Sequence, residues 1–329
     1  MAIAPTRLLP PTQSDVDRAL TVAVILPCYN EAASIAEVVA AFQSALPGAA
    51  VYVYDNNSSD GTAQAARTAG ATVRSEMRQG KGHVVRRMFA DVEADIYVMA
   101  DGDGTYDASM APTLVELLMK NQVDMVVGTR ADVTKDAGRG GHAFGNKLFN
   151  MVYRRMFGRD FTDIFSGYRV FTRRFAKSFP AVSSGFEIET EMSVHASQLG
   201  LPVLERPTVY GVRGEGSESK LKTFRDGFRI LGMFAVLAKE TRPLAFFGAI
   251  GLGLVTVALL LSAPLALTYF QTGEVPRFPT AILSTGIVIT GVISAVCGLI
   301  LDSLARSRIE QKRLVYLSYP PLGGTRSAE

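Results

Sequence analysis

The chain has 329 residues, room for about two average domains, and 34 basic against 31 acidic side chains leave a net charge of only +3. That balance is too weak to point to nucleic acid, and three histidines with two cysteines (Cys28 and Cys297) make a His/Cys zinc site or a structural disulfide poor expectations. The last third differs in character: Leu244–Phe270 and Thr280–Leu301 hold no charged residue, and each is longer than the roughly 20 helical residues that cross a bilayer core.

Residues 1–20 have no long apolar core and read as a flexible lead rather than a signal peptide. Beyond them, short apolar runs alternate with helix-like stretches. The run TVAVILP (21–27) is followed by the helical pattern EAASIAEVVAAFQSAL (31–46), and AAVYVYD (49–55) by GTAQAARTAG (61–70) and then ATVRS (71–75). GKGHVVRRMFADV (80–92) precedes ADIYVMAD (94–101), and SMAPTLVELLMKN (109–121) precedes VDMVVGTR (123–130). This is the βαβα order of an α/β fold with a mostly parallel sheet, over residues 21–220. In such sheets ligands sit outside the carboxyl ends of the strands. The polar clusters PCYNE (27–31), DNNSSDGT (55–62), DGDGTYD (101–107) and GTR (128–130) all fall there.

The aspartates Asp101, Asp103 and Asp107 follow directly on an apolar run. An EF-hand loop starting at Asp101 would need Gly and Glu where Tyr106 and Pro112 stand, so it is excluded. A plain turn and a proton-sharing dyad are alternatives. A divalent cation, Mg2+ or Mn2+, held by Asp103 with Asp101 and bridging to a diphosphate accounts for the charge cluster best. No G-x-G-x-x-G follows the first strand, and SEMRQGKGH lacks the pattern of a P-loop. Gly80-Lys81-Gly82 is left as a helix start that could hold a phosphate or a base.

The motifs ILPCYNEAASI, DNNSSDGT, GKGHVV, ADGDGTYD, VVGTR and TDIFSGYRVF, in this order, resemble the GT-A glycosyltransferases of family 2. The subgroup they resemble is the polyprenyl-phosphate sugar synthases, the bacterial undecaprenyl-phosphate glucosyltransferases and dolichyl-phosphate mannose synthase. The resemblance implies a nucleotide-sugar donor, UDP-linked first and GDP-mannose second. Pro27, Tyr29, Glu31 and Asp55 would then line the base and ribose, Lys81 the base or diphosphate, and Asp101 the nucleotide. Asp103 would ligate the metal. Two departures stand out. Asp55-Asn56-Asn57-Ser58 lacks the second acid of the family's DDGS, and Thr105 stands where many relatives have an amide.

An acceptor polyprenyl phosphate is dianionic and amphiphilic, so its site needs bases near a membrane surface. Arg130, Lys147, Arg169, Arg213 and Lys220 are candidates, and the family pattern favours Arg130, Ser166, Arg169 and Lys220. Asp163 is either a base or, preferably, an orienter of Arg169. Glu187 and Glu189 are candidates to meet the sugar hydroxyls. An ionised phosphate needs little help from a base, so the expected reaction is a single displacement with inversion.

Residues 143–157 and the juxtamembrane stretch 221–243 look like interfacial helices, followed by two spans within 244–302 and a cytoplasmic tail, 303–329. Lys239 and Arg242 on one flank and Arg306, Arg308, Lys312 and Arg313 on the other place both termini and the catalytic domain in the cytoplasm, at the inner membrane. Glycines in the spans permit close helix packing, and the resemblance implies a homo-oligomer, a tetramer. A processive polymer synthase is disfavoured by the lack of any tryptophan. A non-catalytic membrane scaffold is the competing class, and it predicts loss of the metal aspartates.

Overall fold

The computed structural model describes residues 19–130, 161–185, 187–211, 236, 239–275 and 277–323. The expected interfacial helix at 143–157 and most of the 221–243 stretch lie outside them, as does nearly all of the lead.

The apolar runs form strands β1 (Val22–Cys28), β2 (Ala50–Asp55), β3 (Thr72–Ser75), β4 (Ile96–Met99) and β5 (Met125–Arg130). Between them lie helices α1 (Ile35–Ala45), α2 (Thr62–Thr68), α3 (Lys81–Asp91) and α4 (Ala111–Lys120). Helix α1 buries Ile35, Val38, Val39 and Phe42 along one stripe, the spacing that marked it in the sequence. Asp107 caps the short 3-10 turn before α4 by accepting from Ser109 N at 2.9 Å, so it is a capping residue and not a member of the carboxylate cluster.

Two further strands complete a seven-stranded sheet of order β3-β2-β1-β4-β6-β5-β7. Strand β6 (Arg169–Thr172) runs antiparallel between β4 and β5, pairing Arg169 with both Met99 and Val127. Strand β7 (Val203–Thr208) lies parallel to β5 at the sheet edge, where Pro207 is tolerated. Neither was expected as a strand: β6 is four residues long, and β7 mixes polar residues and proline with its apolar ones. Because β6 runs the other way, its first residue lies at the carboxyl ends of its neighbours, and the preceding 161–168 segment is delivered to that rim.

Val24, Leu26, Val39, Phe42, Val98 and Leu114 pack in the core on one face of the sheet. Rings of Phe89, Tyr97 and Phe171 meet edge-on or stacked on the other, at 5.3 to 6.2 Å between centroids. After α5 (Arg173–Ser178), α6 (Ile188–Leu199) adds His195 to this aromatic layer beside Phe175 and Phe179. Burial lowers the His195 pKa to about 3, so it is a neutral core residue.

Residues 1–219 with 312–329 make up one compact unit and 220–311 a second. The second holds α7 (Pro243–Thr272) and most of α8 (Phe278–Leu317), both long and apolar enough to cross a membrane. Only 11% of each apolar window is buried, unlike the core helices of a soluble protein. The two helices touch through glycines. A Cβ on Gly251 would come 2.6 Å from Gly291 O, and one on Gly298 3.0 Å from Phe247 Cβ, whereas Gly248, Gly253 and Gly286 meet no atom within 4 Å.

Helix α8 continues past the expected start of the tail at 303, and residues from 312 on belong to the first unit. Tyr316 OH donates to Asp124 Oδ2 at 2.8 Å. Asp124, fully buried at the foot of β5, also accepts from Thr172 Oγ1 (2.9 Å) and from Arg174 Nε (2.6 Å). Arg174 lies 4.7 Å over the Tyr316 ring and Arg173 lies 5.1 Å over Tyr319. Replacing Tyr316 by Phe removes one donor from a buried carboxylate. The expected loss is about 1–3 kcal/mol, seen as a lower unfolding midpoint of the first unit in detergent-solubilised protein; an unchanged midpoint would show that the contact contributes nothing.

Candidate active site

The rim is built from loops that brace one another. Asn30, at φ +53, takes the backbone turn that follows β1. Its N–H donates to Ser58 Oγ (2.9 Å), and its own Oδ1 accepts from Ser59 N (2.9 Å). Glu31 N donates to Thr62 Oγ1 at 2.8 Å. Asn56 spans the next gap: its amide donates to Glu76 O (3.0 Å) and Arg78 O (2.7 Å) and accepts from Gly80 N (2.7 Å). A carboxylate has no donors, so the missing second acid of DDGS is here a brace that only an amide can make.

The charged centre lies where the first, third and fourth loops meet. Gly102 is needed because a side chain there would collide with Cys28 Sγ and Glu31 Oε2. The close approach sets Glu31 against Asp101 and Asp103. Burial, then Asp101 and Asp103, raises the Glu31 pKa from its ordinary 4.5 to about 8. Glu31 Oε2 and Asp55 Oδ1 are both buried without a hydrogen-bond partner. Burial, then Glu31, also pushes the Cys28 thiol up, so it stays neutral. Asp103 Oδ1 accepts from Thr105 N (3.1 Å) and Thr105 Oγ1 (2.6 Å). Thr105 therefore orients the aspartate.

Lys81 is the counter-charge. Its ammonium pairs with both Asp101 and Glu189, and its side chain is 9% exposed. Burial works against the charge, but the two carboxylates outweigh it and raise the Lys81 pKa. Glu189, 5% exposed at the side chain, is committed to Lys81. This differs from the expected contact with sugar hydroxyls. Glu187, two residues earlier and half-buried, folds its carboxylate back so that a Cβ on Gly185 would come 2.5 Å from Oε2. The helix start at Gly80-Lys81-Gly82 is not an open phosphate cradle. A Cβ at Gly80 or Gly82 would collide with the Ser184 or Ser183 carbonyl, so these glycines admit a crossing segment instead.

At the carboxyl end of β5, Asp163 faces Arg130. Its Oδ2 accepts from Arg130 Nε (2.8 Å) and N (3.1 Å), and its Oδ1 from Nη2 (2.7 Å). Burial alone would raise the Asp163 pKa, but the Arg130 contacts outweigh it and hold the carboxyl ionised. Asp163 was expected to orient Arg169; its guanidinium partner in the structure is Arg130. Asp163 takes only one edge of the guanidinium, which keeps donors for a second anion.

Arg169 is fully buried, donating from Nε to Ser166 O (2.8 Å) and from Nη2 to Ile164 O (2.9 Å). Ser166, also fully buried, donates from Oγ to Gly128 O at 2.5 Å. Both were expected at the acceptor phosphate; the structure uses them to shape the loop carrying Asp163. Pro27 is buried in β1 opposite Tyr54, while Tyr29 is exposed at the rim. Lys147, Arg213 and Lys220 lie outside the described residues.

A model described as glycosyl transferase family 2 matches residues 23–179. The chain is 34% identical over 296 residues to glycosyltransferase AglJ of Haloferax volcanii, covering 89% of this chain and 97% of that one. It is 28% identical over 225 residues to dolichol-phosphate mannosyltransferase of Pyrococcus furiosus, covering 62% of this chain and 60% of that one. Among solved structures, glucosyl-3-phosphoglycerate synthase of Mycobacterium tuberculosis, in complex with Mn2+, UDP and glucosyl-3-phosphoglycerate, matches with a TM-score of 0.55 at 24% identity, over 68% of this chain and 81% of that one. The fold is GT-A, and by its relatives this chain belongs to glycosyl transferase family 2.

Proposed function

We propose that the protein transfers a hexose, from a UDP-sugar first, to a polyprenyl phosphate at the cytoplasmic face of a membrane, with metal dependence and inversion. The observation that carries this reading is the carboxylate cluster of Glu31, Asp101 and Asp103 at the strand ends, with buried oxygens of Glu31 and Asp55 unpartnered. Such a cluster suits a cation arriving with a diphosphate. Asp103 and Asp101 would hold Mg2+ or Mn2+. Among the described residues no three His, Cys, Asp or Glu side chains form a metal site by themselves, and phosphate oxygens with water would complete the shell. When bound, the cation supplies Lewis-acid stabilisation of the departing diphosphate.

The chain's own groups fill the other roles. Asp55 Oδ1 accepts from base or ribose, and Tyr29 offers a ring at the rim. Arg130, fixed by Asp163, takes the acceptor phosphate with Lys147, Arg213 and Lys220. Glu187, rather than Glu189, meets the sugar. A phosphate oxygen forms the new bond to the anomeric carbon as the bond to the diphosphate breaks, and UDP leaves. With its second pKa near 6 the phosphate is already ionised, so no residue has to remove a proton. The two candidate spans and the dolichol-phosphate relative support a lipid acceptor. The basic flanks at Lys239 and Arg242 and at Arg306 and Arg308 favour a cytoplasmic site, and the glycines left open in the spans are compatible with a homo-oligomer.

The direct test offers radiolabelled UDP- and GDP-sugars to undecaprenyl phosphate with Mn2+ or Mg2+. Label should reach the organic phase from one donor, be lost with EDTA, and fall by about 10²–10³-fold in Asp103→Ala. No transfer together with no nucleotide binding would favour the scaffold reading. Arg130→Lys loses the planar two-edged geometry; the KM for polyprenyl phosphate should rise about tenfold while that for the donor stays level.

The raised Glu31 pKa of about 8 sets a pH dependence. In the metal-free protein the neutral carboxyl is the favoured form, so its stabilising contribution is lost as pH rises through about 8. Cation binding must displace that proton. Mn2+ affinity in the presence of UDP should therefore tighten by up to about tenfold per pH unit between 6 and 8, read by calorimetry. A flat profile would show that Glu31 does not titrate with binding.

A further inference from the structure

The segment after α5 crosses the start of α3 and is gripped on both edges. Arg86, on α3, donates from Nε to Ala181 O (2.7 Å) and from Nη2 to Val182 O (3.1 Å) and Ser183 O (3.4 Å). Glu191, on α6, accepts from Val182 N (2.9 Å) and Ser183 N (2.8 Å). The carbonyls of one dipeptide are thus held by the helix that carries Lys81, and its amides by the helix that carries Glu189. Ala181 sits at φ +46. A non-glycine residue there is held against a backbone cost, which persists only where the surroundings over-determine it. Gly80 and Gly82 bring the Ser184 and Ser183 carbonyls directly onto the turn flanking Lys81.

We infer that Arg86 and Glu191 are positioning residues: through the 181–184 strap they fix α3 against α6 and thereby hold Lys81 between Asp101 and Glu189. The inference deepens the proposed reaction, since it says what keeps the counter-charge of the donor site in place. Neither residue touches the cluster itself. Their chemistry explains the choice of residue types. Only a carboxylate accepts from two successive N–H groups without presenting a donor, and only a guanidinium reaches three carbonyls from one side. Glutamine at 191 would turn an amide donor toward an N–H, and lysine at 86 would keep the charge with fewer directed bonds.

The test reads Lys81 itself, so it does not depend on the substrate assignment. Full-length protein in detergent is treated with a lysine-acetylating reagent, and modification rates are followed by mass spectrometry. Lys81 and Lys177 both have side chains 9% exposed, and Lys177 lies near the strap but is held by the carbonyls of Phe89 and Val92 and by Glu93, none of them strap residues. In Arg86→Ala and Glu191→Ala, Lys81 should react at least about tenfold faster while Lys177 stays protected. In parallel, kcat for transfer should drop by up to about 10²-fold with UDP affinity within a factor of about two of the parent value. The double variant should lose no more than the worse single one, because both residues grip one dipeptide.

If the alanine variants expose Lys177 as well, Arg86→Lys and Glu191→Gln decide by the same pair of rates. Faster Lys81 reaction alone supports the inference; an unchanged Lys81, or joint exposure of both lysines in these milder variants, overturns it. Should the parent protein transfer no sugar to any polyprenyl phosphate while Lys81 still responds, the function reading fails and the positioning role stands.

Discussion

The ammonium of Lys81, shared by Asp101 and Glu189, is the contact on which the site depends. Carboxylates packed at strand ends repel, and burial makes that repulsion stronger because little water screens it. One buried cation compensates two of them and draws α3, α6 and the loop after β4 to one point. The third, Glu31, has no such partner and responds by holding its proton, with a pKa of about 8. The centre is therefore poised for further positive charge, and the cluster that looked frustrated in the sequence is a half-filled electrostatic arrangement.

A second constraint comes from the antiparallel strand. By running β6 between β4 and β5, the fold delivers the 161–168 segment to the same rim as the carboxylates. Gly167 illustrates how tight the delivery is, since a Cβ there would come 3.0 Å from Asp101 Oδ2. Buried Arg169 satisfies the carbonyls this turn would otherwise leave orphaned, and Tyr106 OH accepts from Gly167 N at 2.8 Å. An arginine in a basic motif near a membrane invites a reading as a phosphate ligand. Here its planar donors are used on the main chain, and it is Arg130 that keeps donors beyond its carboxylate partner.

At the opposite end of the sheet, Asp124 gathers strand, helix and tail. Tyr316 reaches it across 192 residues of sequence, so the first unit is closed by residues at the carboxyl end of the second apolar helix. A carboxylate with no exposed surface needs this many donors, because each one withdrawn leaves charge buried and unsolvated.

The five strands of the first 130 residues and the four helices between them were legible from periodicity, and so was the convergence of polar clusters on one rim. Asp101, Asp103 and Arg130 were legible as candidates because charge at the end of an apolar strand has no structural explanation of its own, and Lys81 was legible as a base at a helix start. The partners were not. Asp163 with Arg130, Lys81 with Glu189, Asn56 as a brace, and Arg86 with Glu191 all join residues far apart or on separate elements, and no local pattern encodes such pairs. Sequence by itself determined which segments are helix, strand or candidate span, since burial patterns repeat at the period of each element. Only the tertiary structure decided which of the basic and acidic residues pair with one another and which are spent on the protein's own backbone. That choice follows from burial and hydrogen-bond satisfaction, and both are properties of the packed chain.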